Sequence, residues 1–158
     1  MVSLLRRLLG EQSGTAAVEA AVALPVLLVL ASGVFEFSNA VFDHQEITTG
    51  IRDAARYLAR VQDPADGTSQ TYAKNLAVNG VIIGGTARVR GWGNVTITIT
   101  HVANPLLANG ERTYRGPDPL SIVRVWTAYP YQQIGLLGAF GLPSPTFSVS
   151  HSERAIGD

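Results

Sequence analysis

The 158-residue chain contains no cysteine, one methionine and a single lysine, Lys74. Without cysteine there is no disulfide framework, no thiolate metal site and no thiol nucleophile. An exported protein built this way depends for its stability on its core, a membrane anchor or its partners. An excess of charge is missing too: twelve basic residues balance twelve acidic ones. Nothing in that balance points to nucleic acid or to an acidic surface. Eleven of the twelve basic residues are arginine, which reads as codon composition before chemistry.

The familiar catalytic signatures are also absent. There is no phosphate loop ending in Gly-Lys-Ser/Thr, no Gly-x-Ser-x-Gly elbow and no dinucleotide fingerprint. His44, His101 and His151 lie far apart in sequence, without a partner at the spacing of a zinc site. Gly91-Trp92-Gly93 lacks a third glycine and a following helix, so it reads as a bulge or turn. Asp63, Asp66 and Gly67 resemble a fragment of a calcium loop without its other ligands, and read as a turn. Asn94-Val95-Thr96 matches the short and common glycosylation sequon. Trp92 and Trp126 read as core or sheet-face residues. These residues lead to the expectation of no catalytic group, no metal, no cofactor, no small-molecule substrate and no enzyme.

What is present begins with an apolar run. From Ala20 to Phe35 nothing is charged, and extending back to Thr15 adds only Glu19. The stretch 15–35 is close to the ~20 residues a helix needs to cross the hydrocarbon of a bilayer. Arg6 and Arg7 precede it, which places the N-terminus in the cytoplasm, with Glu36, Asp43 and Glu46 outside. Pro25 lies mid-run and is expected to kink the helix and free one carbonyl. Glu19 is the anomaly, because a charge near the hydrocarbon costs a few kcal/mol or more and marks a functional residue by default. Gly14, a small residue, stands five positions before it, and basic residues lie further upstream. That arrangement suggests a cytoplasmic cut between Gly14 and Thr15 that leaves the helix on the product.

Other readings of this segment remain open. A cleaved signal peptide could be cut near Ser38-Asn39-Ala40 or Val29-Leu30-Ala31, releasing a soluble periplasmic or secreted binding domain. An uncleaved anchor would carry a permanent periplasmic module.

The helical pattern continues past Phe35. Val41, Ile47, Ile51, Ala54, Ala55, Leu58 and Val61 follow helical spacing, continuous as a stripe from Ile47, with Asp43, Glu46, Arg52, Asp53, Arg56 and Arg60 between them. Gly50 weakens this helix by about 1 kcal/mol without ending it. Asp63-Pro64-Ala65-Asp66-Gly67 stops it. The pattern predicts one helix from Thr15 to Val61, roughly 70 Å long. Thr68 or Ser69 is expected to cap a short helix to Val78, with Tyr72, Ala73 and Leu76 on its buried face. The period then changes from 3.6 to 2. Val95 to His101 alternates as a strand, Thr86 to Arg90 reads as an earlier one, Ile122 to Tyr129 as the next, and Phe147 to His151 as the last. Residues 104–119 read as a loop. The apolar, glycine-rich stretch from Tyr129 to Leu142 reads as a loop on the sheet or as a docking patch. The fold class expected is α+β, with a small antiparallel sheet laid against helix. Its parts are a leader 1–14, a transmembrane helix 15–35, an extramembrane amphipathic helix 36–62 and an exported head 63–158.

Gly14-Thr15-Ala16-Ala17-Val18-Glu19, then Leu24-Pro25-Val26-Leu27-Leu28, Gly33-Val34-Phe35-Glu36 and Ile51-Arg52-Asp53-Ala54-Ala55-Arg56-Tyr57 occur in that order. In this the chain resembles the TadE-like proteins, minor pilin or pseudopilin components of the tight-adherence (Flp) type IV pilus. It differs at Ala20, where many relatives carry an aromatic residue. The resemblance implies an inner-membrane subunit of the pilus that serves surface adhesion. It further implies cleavage after Gly14 by a prepilin peptidase, and an assembly role for Glu19 against the Thr15 amine of a neighbouring subunit. The partners implied are the bilayer, that peptidase, other pilin subunits and the pilus assembly platform.

Overall fold

The structure, a computed structural model, describes residues 13–135, 138, 141 and 143–156. The leader up to residue 12, with Arg6 and Arg7, and the apolar residues 136, 137, 139, 140 and 142 lie outside the described residues.

One helix, α1, Ser13–Leu58, runs unbroken through Pro25. It ends three residues before the expected Val61. The Arg60 amide bonds the Tyr57 carbonyl at 3.1 Å, tightening the last turn. Asp63 then accepts the Ala65 amide at 2.8 Å and fixes the following turn. A second helix, α2, follows at Gly67–Asn79. Its cap is Asp66, not Thr68 or Ser69: the Asp66 carboxylate takes the Ser69 amide at 2.9 Å. With the cap there, the helix starts two or three residues earlier than expected and a carboxylate stands at its positive end. Gly80, at φ 77°, closes the other end by donating to the Leu76 carbonyl.

The buried face of α2 is Ala73 and Ala77, while Tyr72 and Leu76 are half-buried. Small residues are needed because the helices meet closely at Gly50. A Cβ there would strike the Ala77 carbonyl and come within 2.9 Å of the Trp92 ring. Gly50 is therefore a contact residue and not merely a weak point of the helix.

The expected strand at 86–90 does not form. Its backbone serves α2 instead, through the Arg88 amide on the Val78 carbonyl at 2.8 Å. The Arg88 guanidinium reaches Asp53 of α1 at 3.2 Å. Gly91-Trp92-Gly93 is a turn, with the Trp92 amide on the Val89 carbonyl.

The sheet has three antiparallel strands in the order β1 (Thr96–Val102), β2 (Leu120–Pro130) and β3 (Thr146–Arg154). Ile97 pairs with Val125, Thr127 with Val149 and Tyr129 with Phe147. Val123, Val125, Thr127 and Tyr129 face inward, under Ile47, Ile51, Ala54, Ala55 and Leu58 of α1. Thr127 is satisfied inside this core: it receives the Trp92 indole N–H at 3.2 Å and donates to the Asn94 carbonyl. Trp92 is a core residue, and Trp126 lies on the outer sheet face. The loop at 104–119 is organised by the buried side chain of Asn104. That side chain bonds the Tyr114 backbone twice and the Pro117 carbonyl. The fold is α+β, with a long apolar N-terminal helix carrying a small antiparallel sheet.

Candidate functional site: the apolar helix and its junction with the head

The first half of α1 touches almost nothing. Val18, Leu24, Leu27, Leu30 and Val34 are all exposed, although each is strongly apolar. This part is long and apolar enough to cross a membrane, and none of its apolar window is buried among the described residues. A helix that is apolar on every side needs an apolar surrounding outside its own fold.

Gly14 and Thr15 lie in the first turn of α1, exposed. Glu19 stands four residues after Thr15, one turn along and on the same face. Among the described residues it forms neither a hydrogen bond nor an ion pair. Pro25 sits in the middle of this uncovered stretch. Gly14, Thr15, Glu19 and Pro25 thus belong to one exposed segment of α1.

The head meets the helix first at Glu36, which is only 1% exposed. The chain turns back to α1 after β2 ends at Pro130, and this turn builds the junction. Oε1 of Glu36 accepts the Ile134 amide at 2.8 Å. The Glu36 backbone carbonyl accepts the Tyr131 hydroxyl at 3.2 Å, and Asn39 Nδ2 donates to that same hydroxyl at 3.0 Å. The Tyr131 ring packs 5.8 Å from Phe147 of β3. Glu36 and Asn39 are three positions apart, so one helical face presents both to Tyr131.

One turn further, Asp43 is pushed above the ordinary carboxylate range by burial, against the opposing pull of the Arg90 guanidinium. Arg90 is held in turn, its carbonyl accepting the Tyr129 hydroxyl at 2.8 Å. Asn39, Asp43, Arg90, Gln132 and Ile134 line a polar cavity of about 260 Å³. Sequence reasoning placed Glu36 among the exported charges and missed its burial. No local signal marks it, because a Glu without a basic neighbour can equally face water, and its partners Tyr131 and Ile134 lie far along the chain.

The remaining titratable groups do not converge. His44 stands edge-on to Phe147 at 5.4 Å, His101 bonds Ser121 at 3.2 Å, and His151 pairs with Glu153 at 2.9 Å. Among the described residues no three His, Asp or Glu side chains gather as metal ligands. The arrangement offers an uncovered apolar helix, a junction and a head. Among the described residues no nucleophile, base and oxyanion donor come together.

Residues 14–56 match the family model described as TadE-like protein. The match begins at Gly14 and runs along α1 nearly to its end, which bears out the resemblance seen in the sequence over that span. No curated protein and no solved structure gives a match.

Proposed function

From the TadE-like match over α1, we propose that this chain is a non-enzymatic, minor pilin-like subunit for assembly of a Tad (Flp) type IV pilus that serves surface adhesion. In this reading residues 1–14 are a cytoplasmic leader and 15–35 cross the inner membrane. Residues 36–62 carry the helix beyond the bilayer, and 63–158 form a head on the periplasmic or extracellular side. The observation that supports it most is the uncovered apolar half of α1, starting at Gly14 where the family model also starts.

Glu19 has a physical role in such an assembly. A prepilin peptidase cutting after Gly14 would create an amine on Thr15, one helical turn from Glu19. A carboxylate entering an apolar surrounding alone is costly, and pairing with an amine of a neighbouring subunit removes much of that cost. Only the register that brings the two groups together is favoured, so Glu19 selects how subunits pack. Glu19→Ala should then abolish piliation while the protein still inserts in the membrane. Normal pili from that variant would remove the assembly role from Glu19. A protein that no longer fractionated with membranes would point to a role in insertion instead.

A further inference from the structure

The apolar surface of α1 does not stop at Phe35. Phe35, Phe37 and Phe42 are 69%, 71% and 60% exposed, and Val41 is partly exposed beside them. Three phenyl rings open to water within eight residues of one helix form an apolar surface that a water-facing stalk does not keep. The one charge in this stretch, Glu36, is withdrawn from it. The head covers Glu36 with Tyr131 and the Ile134 amide, and the Ile134 side chain at that level faces outward. From Ala20 to Phe42 the helix therefore presents no exposed charged side chain, and charges resume at Asp43 and Glu46.

Lengths decide what this surface meets. The uncharged stretch 20–35 by itself gives a helix of about 24 Å, short of the ~30 Å hydrocarbon core. Residues 20–42 give about 35 Å, which spans the core with an ordinary tilt of about 20°. We infer that the outer boundary of the bilayer lies near Phe42 and not near Phe35. Glu36 is thereby carried below the lipid surface, and the Tyr131–Ile134 segment keeps its carboxylate out of contact with lipid. The head sits directly on the outer leaflet, with Phe35, Phe37, Phe42 and Ile134 as its collar against acyl chains. A buried carboxylate with a fixed amide donor can be taken to that depth because its polar partners travel with it. This inference rests on the membrane-anchored reading of α1.

The absence of cysteine makes the test direct. Single substitutions Val26→Cys, Phe37→Cys, Phe42→Cys and Thr49→Cys in the full chain each carry one spin label, in vesicles of phosphatidylethanolamine and phosphatidylglycerol. Collision with dissolved oxygen reports lipid, and collision with a water-soluble nickel chelate reports water. Labels at 37 and 42 should resemble the label at 26, with an oxygen-to-nickel ratio several-fold above that at 49. Labels at 37 and 42 that match 49 would overturn the inference while 26 in lipid preserved the anchor. Labels at 37 and 42 shielded from both probes would overturn it in favour of a neighbouring protein. If 26 itself read as water, the anchor would fail and the inference with it. All four positions are exposed, so the labels leave the core intact. A second substitution, Ile134→Pro, removes the amide on Glu36. It should lower the oxygen-to-nickel ratio at 37 several-fold as water follows the freed carboxylate. An unchanged ratio would remove the shielding role from the Tyr131–Ile134 segment.

Discussion

The two halves of α1 share one backbone and differ in everything around it. From Gly14 to Phe35 the apolar side chains point in all directions and are covered by none of the described residues. From Ile47 to Leu58 the apolar residues keep to one face, and that face is buried under β2, β3 and α2. Local propensity does not separate the two halves, since both are helical. The angular distribution of apolar side chains does. One stripe fits a sheet, whereas a full circumference calls for lipid or neighbouring helices. Glu19 and Glu36 repeat the contrast as carboxylates. Glu36 finds its partners within the chain, and Glu19 finds none among the described residues.

The largest separation between the halves should come from trimming leucines. Leu58→Ala should cost the head about 2–5 kcal/mol, while Leu28→Ala should leave its unfolding unchanged. Urea unfolding in micelles, followed through tryptophan fluorescence, measures both. Equal losses would mean that the two halves fold as a single packed unit. Glycines should separate next. Gly50→Ala should cost about 1–3 kcal/mol despite better helix propensity, because a methyl group there meets the Ala77 carbonyl and Trp92. Gly33→Ala has nothing within 4 Å and should show only the propensity gain of about 1 kcal/mol. Thermal scans of the two variants read that difference.

The carboxylates offer a similar contrast. Glu36→Ala leaves the Ile134 amide without its acceptor and should cost about 1–3 kcal/mol. Glu19→Ala should not change head stability at all. Amide hydrogen exchange at Ile134 follows the first loss and should be unaffected by the second substitution.

The smallest effect should be on α2. The Ser69 amide holds the Asp66 carboxyl below the ordinary carboxylate range. Its contribution is therefore complete above that range and fades as pH falls through the lowered folded value. Helical circular dichroism should weaken on acidification in that window, and Asp66→Asn, which caps without titrating, should flatten the response. An unchanged acid response in Asp66→Asn would move the effect to another group.

The parts of the fold with a strong period were legible in the sequence. The stripe from Ile47 to Leu58 and the alternation along β1, β2 and β3 all appear where the pattern put them. The short-range choices were not. Thr86 to Arg90 has strand composition, yet its backbone is taken up by the end of α2, a tertiary choice that propensity cannot show. Asp66 outcompeted Thr68 and Ser69 because a carboxylate one residue ahead of Gly67 reached the Ser69 amide first. Tyr72 and Leu76 were expected inside, but the close approach at Gly50 admits only Ala73 and Ala77. Gly14, Thr15 and Glu19 stand out in the sequence because each sits oddly in an apolar helix, and the roles proposed for them rest on that oddity. The burial of Glu36 was not legible there, since it depends on Tyr131 and Ile134, nearly a hundred residues away.

The central claim is that the apolar half of α1 stays on the mature protein, beginning at a cut after Gly14. N-terminal sequencing of the chain extracted from membranes tests it most directly. Thr15 as the first residue is the predicted result. Ser32 or Val41 would contradict it by showing a released domain, and Met1 by showing an anchor that is never cut.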